Sequence, residues 1–211
     1  HRMSHSNPNM ANISAKKSIK YNSKELNKLA TFLGGVFRRL WRAPKGKILV
    51  GVDAAGIQLR ILAHYMNDKD FVYAVTKGSS KDGTDPHTMN MKALGPICKT
   101  RDNAKTFIYA FLLGAGVGKV QEIFDCKQSE AKDAIEKFIK AYPGLEKLKT
   151  KDIPEIANQG YFVGLDGRPV IVKEERLVLA GLLQGGESIV MKRAVIKACQ
   201  ELDKLGISYE L

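Results

Sequence analysis

The 211 residues suffice for a substantial buried core, in one domain or two closely packed ones. With 34 Lys+Arg against 22 Asp+Glu the formal charge is +12, which favours a polyanionic partner, nucleic acid foremost, with a merely basic surface as the alternative. Cys98, Cys126 and Cys199 lack the paired spacing of a disulfide framework or a zinc site, and no apolar run approaches the roughly 20 residues of a membrane span. Reduced thiols, no membrane partner and a cytoplasmic location are therefore expected.

Residues 1–35, rich in Asn, Ser and Lys, read as extended or irregular backbone around a short helix near 24–33. The apolar, β-branched run at 47–53 predicts a strand buried on both faces, with Asp53 at its carboxyl end. Ile57, Leu59, Ile61, Leu62 and Tyr65 predict a helix packed back on that strand. Residues 78–86 (GSSKDGTDP) form a loop by composition, and Pro86 ends any helix before it. A helix over 101–113 stops at Gly114. Ala131, Ile135, Phe138, Ile139 and Tyr142 mark the apolar face of a second helix closed by Pro143-Gly144. A hairpin turns about Asp166-Gly167 within 160–172. The last helix, about 186–205, is expected to bury Ile189, Val190, Ala194, Val195, Ala198 and Leu202. The first residue is His1, and 207–211 reads as the start of a strand after a Gly206 turn, so the chain is expected to be cut at both ends.

Arg101, Lys105 and Tyr109, spaced by four, share one helix face. Two cations and a ring suit a nucleoside triphosphate, the cations balancing phosphate charge and the ring stacking on base or sugar. The same spacing fits a solvated charged face with Tyr109 in the core, and spacing alone does not decide between them. The glycines of 114–118 form no phosphate loop, because Leu113 and Val120 occupy positions that a Walker motif fills with Gly and Ser or Thr. A dinucleotide fingerprint fails at Lys119. Asp53 suits a hard cation such as Mg²⁺, or serves as a helix N-cap. His64, on an apolar helix, reads as a core residue.

The order of these segments adds a resemblance. LWRAPKGKILVGVDAAGIQLRILAHYM resembles motif A of family A DNA polymerases, the bacterial polymerase I type, and RDNAKTFIYAFLLGAG resembles their motif B. DPHT at 85–88, NPNMANIS at 7–14, GLDGRPV and LLQGGESIVMKRAVI extend the likeness over nearly the whole chain, closest to the polymerases of short-tailed phages. The fold implied is α+β: an incomplete palm sheet with a helical fingers subdomain. Residues 1–84 would be an N-terminal segment and first part of the palm, 85–160 the fingers, and 161–211 a return to the palm.

The resemblance implies template-directed DNA synthesis from dNTPs on a primer-template DNA, with two Mg²⁺ ions in the complete enzyme. Asp53 and the Ala54 carbonyl match the metal ligands, with Asp53 and Lys105 in catalytic roles. Arg101 and Lys105 match the triphosphate-binding pair, Tyr109 the ring beneath the sugar, and His87 a phosphate contact. Gln184, Arg168, Asn9 and Asn12 match DNA-contacting positions. Gln58 stands where the family usually has a glutamate that helps exclude a ribose, and Leu113 where a tyrosine is usual. The His-Asp-Glu turn that carries the second catalytic aspartate has no match in these 211 residues. The rival reading is a naturally shortened, non-catalytic nucleic-acid or nucleotide-binding protein. Neither reading identifies a processivity partner.

With one motif-matched metal carboxylate, this chain alone is expected not to extend a primer with Mg²⁺ or Mn²⁺, and to bind DNA weakly, with affinity falling steeply as salt rises. A primer-extension assay beside Asp53→Ala checks this; extension lost in the variant would refute it.

Overall fold

The structure, a computed structural model, describes residues 23–40 and 42–211. By packing, the described residues before Ala55 form one unit and Ala55–Leu211 another.

In the first unit, α1 (Lys24–Arg39) is amphipathic, with Glu25 in its first turn, where the helix dipole favours a carboxylate. It runs six residues beyond the expected end. Residues 47–54 form no strand, and Ile48 and Val52 are each 84% exposed. This corrects the sequence expectation. β-Propensity supplies side chains that fit a pleated surface, but a strand is held by ladder hydrogen bonds to a neighbour. Among the described residues the only sheet is a two-stranded one elsewhere in the chain. The same reason applies to 207–211, which carry no strand either.

The second unit is helical with one hairpin, an α+β architecture. Its helices are α2 (Ile57–Met66), α3 (Lys69–Thr76), α4 (Pro86–Leu94), α5 (Arg101–Leu112), α6 (Val117–Phe124), α7 (Gln128–Lys140), α8 (Pro143–Lys147), α9 (Ile153–Gln159) and α10 (Val178–Lys204). Strands β1 (Tyr161–Val163) and β2 (Pro169–Ile171) pair antiparallel with Val163 opposite Pro169. The Gly167 amide donates to the Gly164 carbonyl, closing the turn about Asp166-Gly167 that the sequence predicts. The expected loop runs from the end of α3 to Asp85, and Pro86 begins α4: its missing N–H is no loss at the first helical position, and Asp85 caps the turn.

The helix over 101–112 ends as expected at Gly114, φ +80°. The Gly114 amide bonds the Phe111 carbonyl and the Ala115 amide the Ala110 carbonyl, a Schellman closure that needs a left-handed residue at Gly114. Between α8 and α9 the chain stays helical through a π turn, Leu148–Asp152. Pro154 just beyond it has no N–H to give, and its ring crowds the Thr150 carbonyl four residues back, which the wider turn relieves. The Lys149 ammonium lies 5.7 Å from the centroid of the Phe111 ring.

The core is aromatic where α5, α6 and α7 meet. Phe107 and Phe138, each essentially inaccessible, stand edge to face with centroids 5.1 Å apart. Phe111, Phe124 and Tyr142 surround them at 5.4–5.8 Å. Each such ring buried contributes roughly 1.5–3 kcal/mol. The Tyr142 hydroxyl donates to buried Asn90 Oδ1 at 2.9 Å, tying α7's end to α4, and burial pushes its phenol well above the usual value. Gly144, at the start of α8, lies against the end of α2: a Cβ there would fall 2.2 Å from the Met66 carbonyl oxygen. α10 begins eight residues earlier than predicted, and its burial stops at Ile189. Val190 and Val195 are exposed, as are Ala194 and Ala198, and Leu202 is only half-buried, because periodicity identifies an apolar face without supplying the element that covers it. No described helix is long and apolar enough to cross a membrane.

Phe107→Ala is expected to destabilise the chain by about 3–5 kcal/mol in urea unfolding, with little change in secondary structure at zero denaturant. A loss below about 1 kcal/mol would show that this cluster does not hold the helices together.

Candidate functional site

The stripe read from the sequence is real in three dimensions. Thr100 caps α5 by accepting from the Asn103 amide, so Arg101 occupies the first helical position. Ala104, Phe107, Ile108, Phe111 and Leu112 bury the inner face, which rotates Arg101 and Lys105 outward. Tyr109 is half-buried, its ring packed against the core at one side and 6.1 Å from the His87 ring. Lys105 is thus exposed to solvent, Arg101 is exposed but bound to Asp85, and the Tyr109 ring belongs partly to the core.

Asp85 organises the corner between α4 and α5. Its Oδ1 accepts from the His87 amide at 3.1 Å and from Arg101 Nε and Nη2 at 3.1 and 2.7 Å, and its Oδ2 accepts from the Thr88 hydroxyl at 2.5 Å. Asp85 is only 5% exposed. Burial opposes its ionisation, but the hydrogen bonds from Arg101 and Thr88, the Arg101 charge and the His87 amide outweigh that and hold the carboxyl at about 2. His87 is buried too. Burial and the neighbouring Arg101 charge lower its pKa, Asp85 works against them, and Lys105 adds to the lowering, so the imidazole is neutral at pH 7. Its Nδ1 is buried with no hydrogen-bond partner among the described residues.

The sequence reading did not single out Asp85, although Asp-Pro is the signal of an N-cap followed by proline at the first helical position. Glu187, which no motif marks in the sequence, accepts through Oε2 from Gln58 Nε2 at 3.1 Å across 129 residues of sequence. A carboxylate therefore does adjoin position 58, contributed by α10. Gln184 lies one turn before Glu187 on α10 and is half-buried. Arg168 is exposed and engaged by Asp166, its Nε donating to Oδ2 at 2.6 Å within the hairpin loop. Leu113 caps the end of α5 and is 54% exposed.

Asp53 and Ala54 belong to the other unit; Asp53 is exposed, and it does not cap α2, whose N-cap is Gly56. A carboxylate and a backbone carbonyl are hard oxygen donors of the kind Mg²⁺ takes. Among the described residues no group of three or more His, Cys, Asp or Glu gathers as a metal centre. His64 is exposed on α2, against expectation, since it falls outside the stripe of Leu59, Leu62, Ala63 and Met66 that faces the core. Asn9 and Asn12 lie outside the described residues.

Comparison with known proteins defines the class. The fold is that of a DNA polymerase: the POL domain of Pol1 from M. smegmatis, in a complex with DNA primer-template and dNTP, superposes with a TM-score of 0.72, covering 97% of this chain and 36% of that one at 19% identity. The sequence matches DNA polymerase family A over residues 1–211, and the chain belongs to that family. The DNA-directed DNA polymerase of Enterobacteria phage T3 is 30% identical over 194 residues, covering 84% of this chain, and that of Escherichia phage T7 29% over the same length and share. The thermostable DNA polymerase I of Thermus aquaticus is 26% identical over 225 residues, covering 97% of this chain. The chain spans about a quarter of the length of these relatives (26%, 26% and 24%).

Because the Asp85 pKa is depressed from 3.8 to about 2, its ionised form contributes stability above pH 4 that is lost as pH falls through about 2. The stability difference between the wild type and Asp85→Asn, followed by urea unfolding from pH 5 downward, is expected to shrink over that window. A difference constant with pH would refute the ionised link.

Proposed function

We propose that the whole protein carries out template-directed DNA synthesis, adding deoxynucleotides from dNTPs to a primer end, and that the α4–α5 corner holds the triphosphate. The observation that carries this is the convergence of Arg101, His87 and Tyr109, with Lys105 beside them, in a chain that belongs to family A along its entire length. Arg101 and Lys105 offset phosphate charge, neutral His87 donates one hydrogen bond, and Tyr109 presents a ring to the sugar. Residues 1–84 would then be N-terminal segment and palm, 85–160 fingers, and 161–211 palm, with Gln184, Arg168, Asn9 and Asn12 toward the primer-template. Asp53 and the Ala54 carbonyl would hold Mg²⁺, which offsets phosphate charge where bound. Glu187, held by Gln58, supplies the carboxylate beside the position that the family resemblance assigns to sugar selection.

The test is dNTP binding by titration calorimetry. Arg101→Ala and Lys105→Ala are each expected to weaken binding by at least tenfold, as loss of a charged hydrogen bond of about 1.5–3 kcal/mol requires, and to flatten its salt dependence. Unchanged affinity in both variants would remove the triphosphate from this corner.

A further inference from the structure

We propose that Asp85 is a positioning residue for the triphosphate grip, fixing the Arg101 guanidinium against the α4 helix before any nucleotide arrives. The inference rests on the reading of the α4–α5 corner as a nucleotide site. It starts from an oddity: a buried carboxylate stands beside the cationic groups that would receive a polyanion. By charge alone it opposes them, since an anion at that distance repels phosphate. Its contacts supply what the charge takes away.

One carboxylate closes three links. It caps α4 through the His87 amide, locks Thr88 one turn along, and holds Arg101 of α5 by two N–H groups. The helix that carries His87 and the helix that carries Arg101, Lys105 and Tyr109 are thereby pinned at their N-termini. A guanidinium has five N–H donors, and two go to Asp85, so three are left for phosphate oxygens. Arg101 is 42% exposed at its side chain, so those donors are accessible while their direction is set. A free arginine loses considerable rotamer entropy on gripping a ligand; one already held has lost it during folding.

Charge and positioning predict opposite signs, which makes the role measurable. Asp85→Ser keeps an N-cap residue for α4 but is too short to hold Arg101, and it adds one positive unit to a formal charge of +12. With inorganic triphosphate and a dNTP as separate probes on the full chain, Asp85→Ser is expected to weaken binding of both about tenfold despite the gain in positive charge. In an Arg101→Ala background the same change is expected to cause no weakening. Asp85→Asn, which preserves shape and cap, is expected to lose affinity in the same direction by a smaller factor, and it stands in if the serine variant does not fold. Tighter binding in Asp85→Ser or Asp85→Asn would overturn the proposal, because the carboxylate would then be a repulsive bystander. Equal weakening with and without Arg101 would overturn it in favour of a role in folding alone. If Arg101→Ala leaves binding of both probes unchanged, the nucleotide reading itself fails and takes the proposal with it, an outcome distinct from losing the Asp85 effect while the Arg101 effect remains.

Discussion

The packing of Phe107 and Phe111 of α5 against Phe124 of α6 and Phe138 of α7 fixes the rotation of α5 about its own axis, and the rest of the second unit follows from that rotation. A helix presents only one face to a core. Once Ala104, Phe107, Ile108, Phe111 and Leu112 are inside, Arg101 and Lys105 have no place but the outside, and Tyr109 falls at the border. The ring cluster also ties α6 and α7 to α5, so the cationic stripe stands on three helices rather than one.

On this base the α4–α5 corner is polar and still well satisfied. Taking a carboxylate out of water costs several kcal/mol, and an unpaired one would shed its charge. Asp85 keeps its charge because four hydrogen bonds and a guanidinium compensate, and the compensation requires α4, Thr88 and Arg101 to be in register at once. Preorganisation and stability are here the same set of contacts. His87 Nδ1 and, one turn along α4, Asn90 Nδ2 are the exceptions, buried atoms that no described group satisfies.

What the sequence disclosed and what it concealed divide along the range of the interaction. α5, α7, the stop at Gly114 and the turn at Asp166-Gly167 are written in spacings of a few residues, and they were legible. The stripe of Arg101, Lys105 and Tyr109 was legible for the same reason. The strand expected at 47–53 failed because its residues specify a surface and leave the neighbour unspecified. α10 shows the same limit from the other side, with a periodic apolar face that is covered only as far as Ile189. Asp85 with Arg101 is a contact over 16 residues and Gln58 with Glu187 one over 129, so no local pattern announces either pair. A cap signal marked Asp85 for one of its tasks, and packing added the others.

Gly144 gives the unit a mechanical property. Backbone lies directly on backbone there, the start of α8 on the Met66 carbonyl, with no side chain between them to change rotamer and take up slack. Helices separated by side chains slide by small rotamer adjustments; this joint has no such bearing surface. α2 and α8 therefore travel as one body, and the same kind of joint recurs at Gly78, where a Cβ would fall 2.4 Å from the Ala74 and Thr84 carbonyl oxygens, so the turn after α3 is held to that helix in the same way.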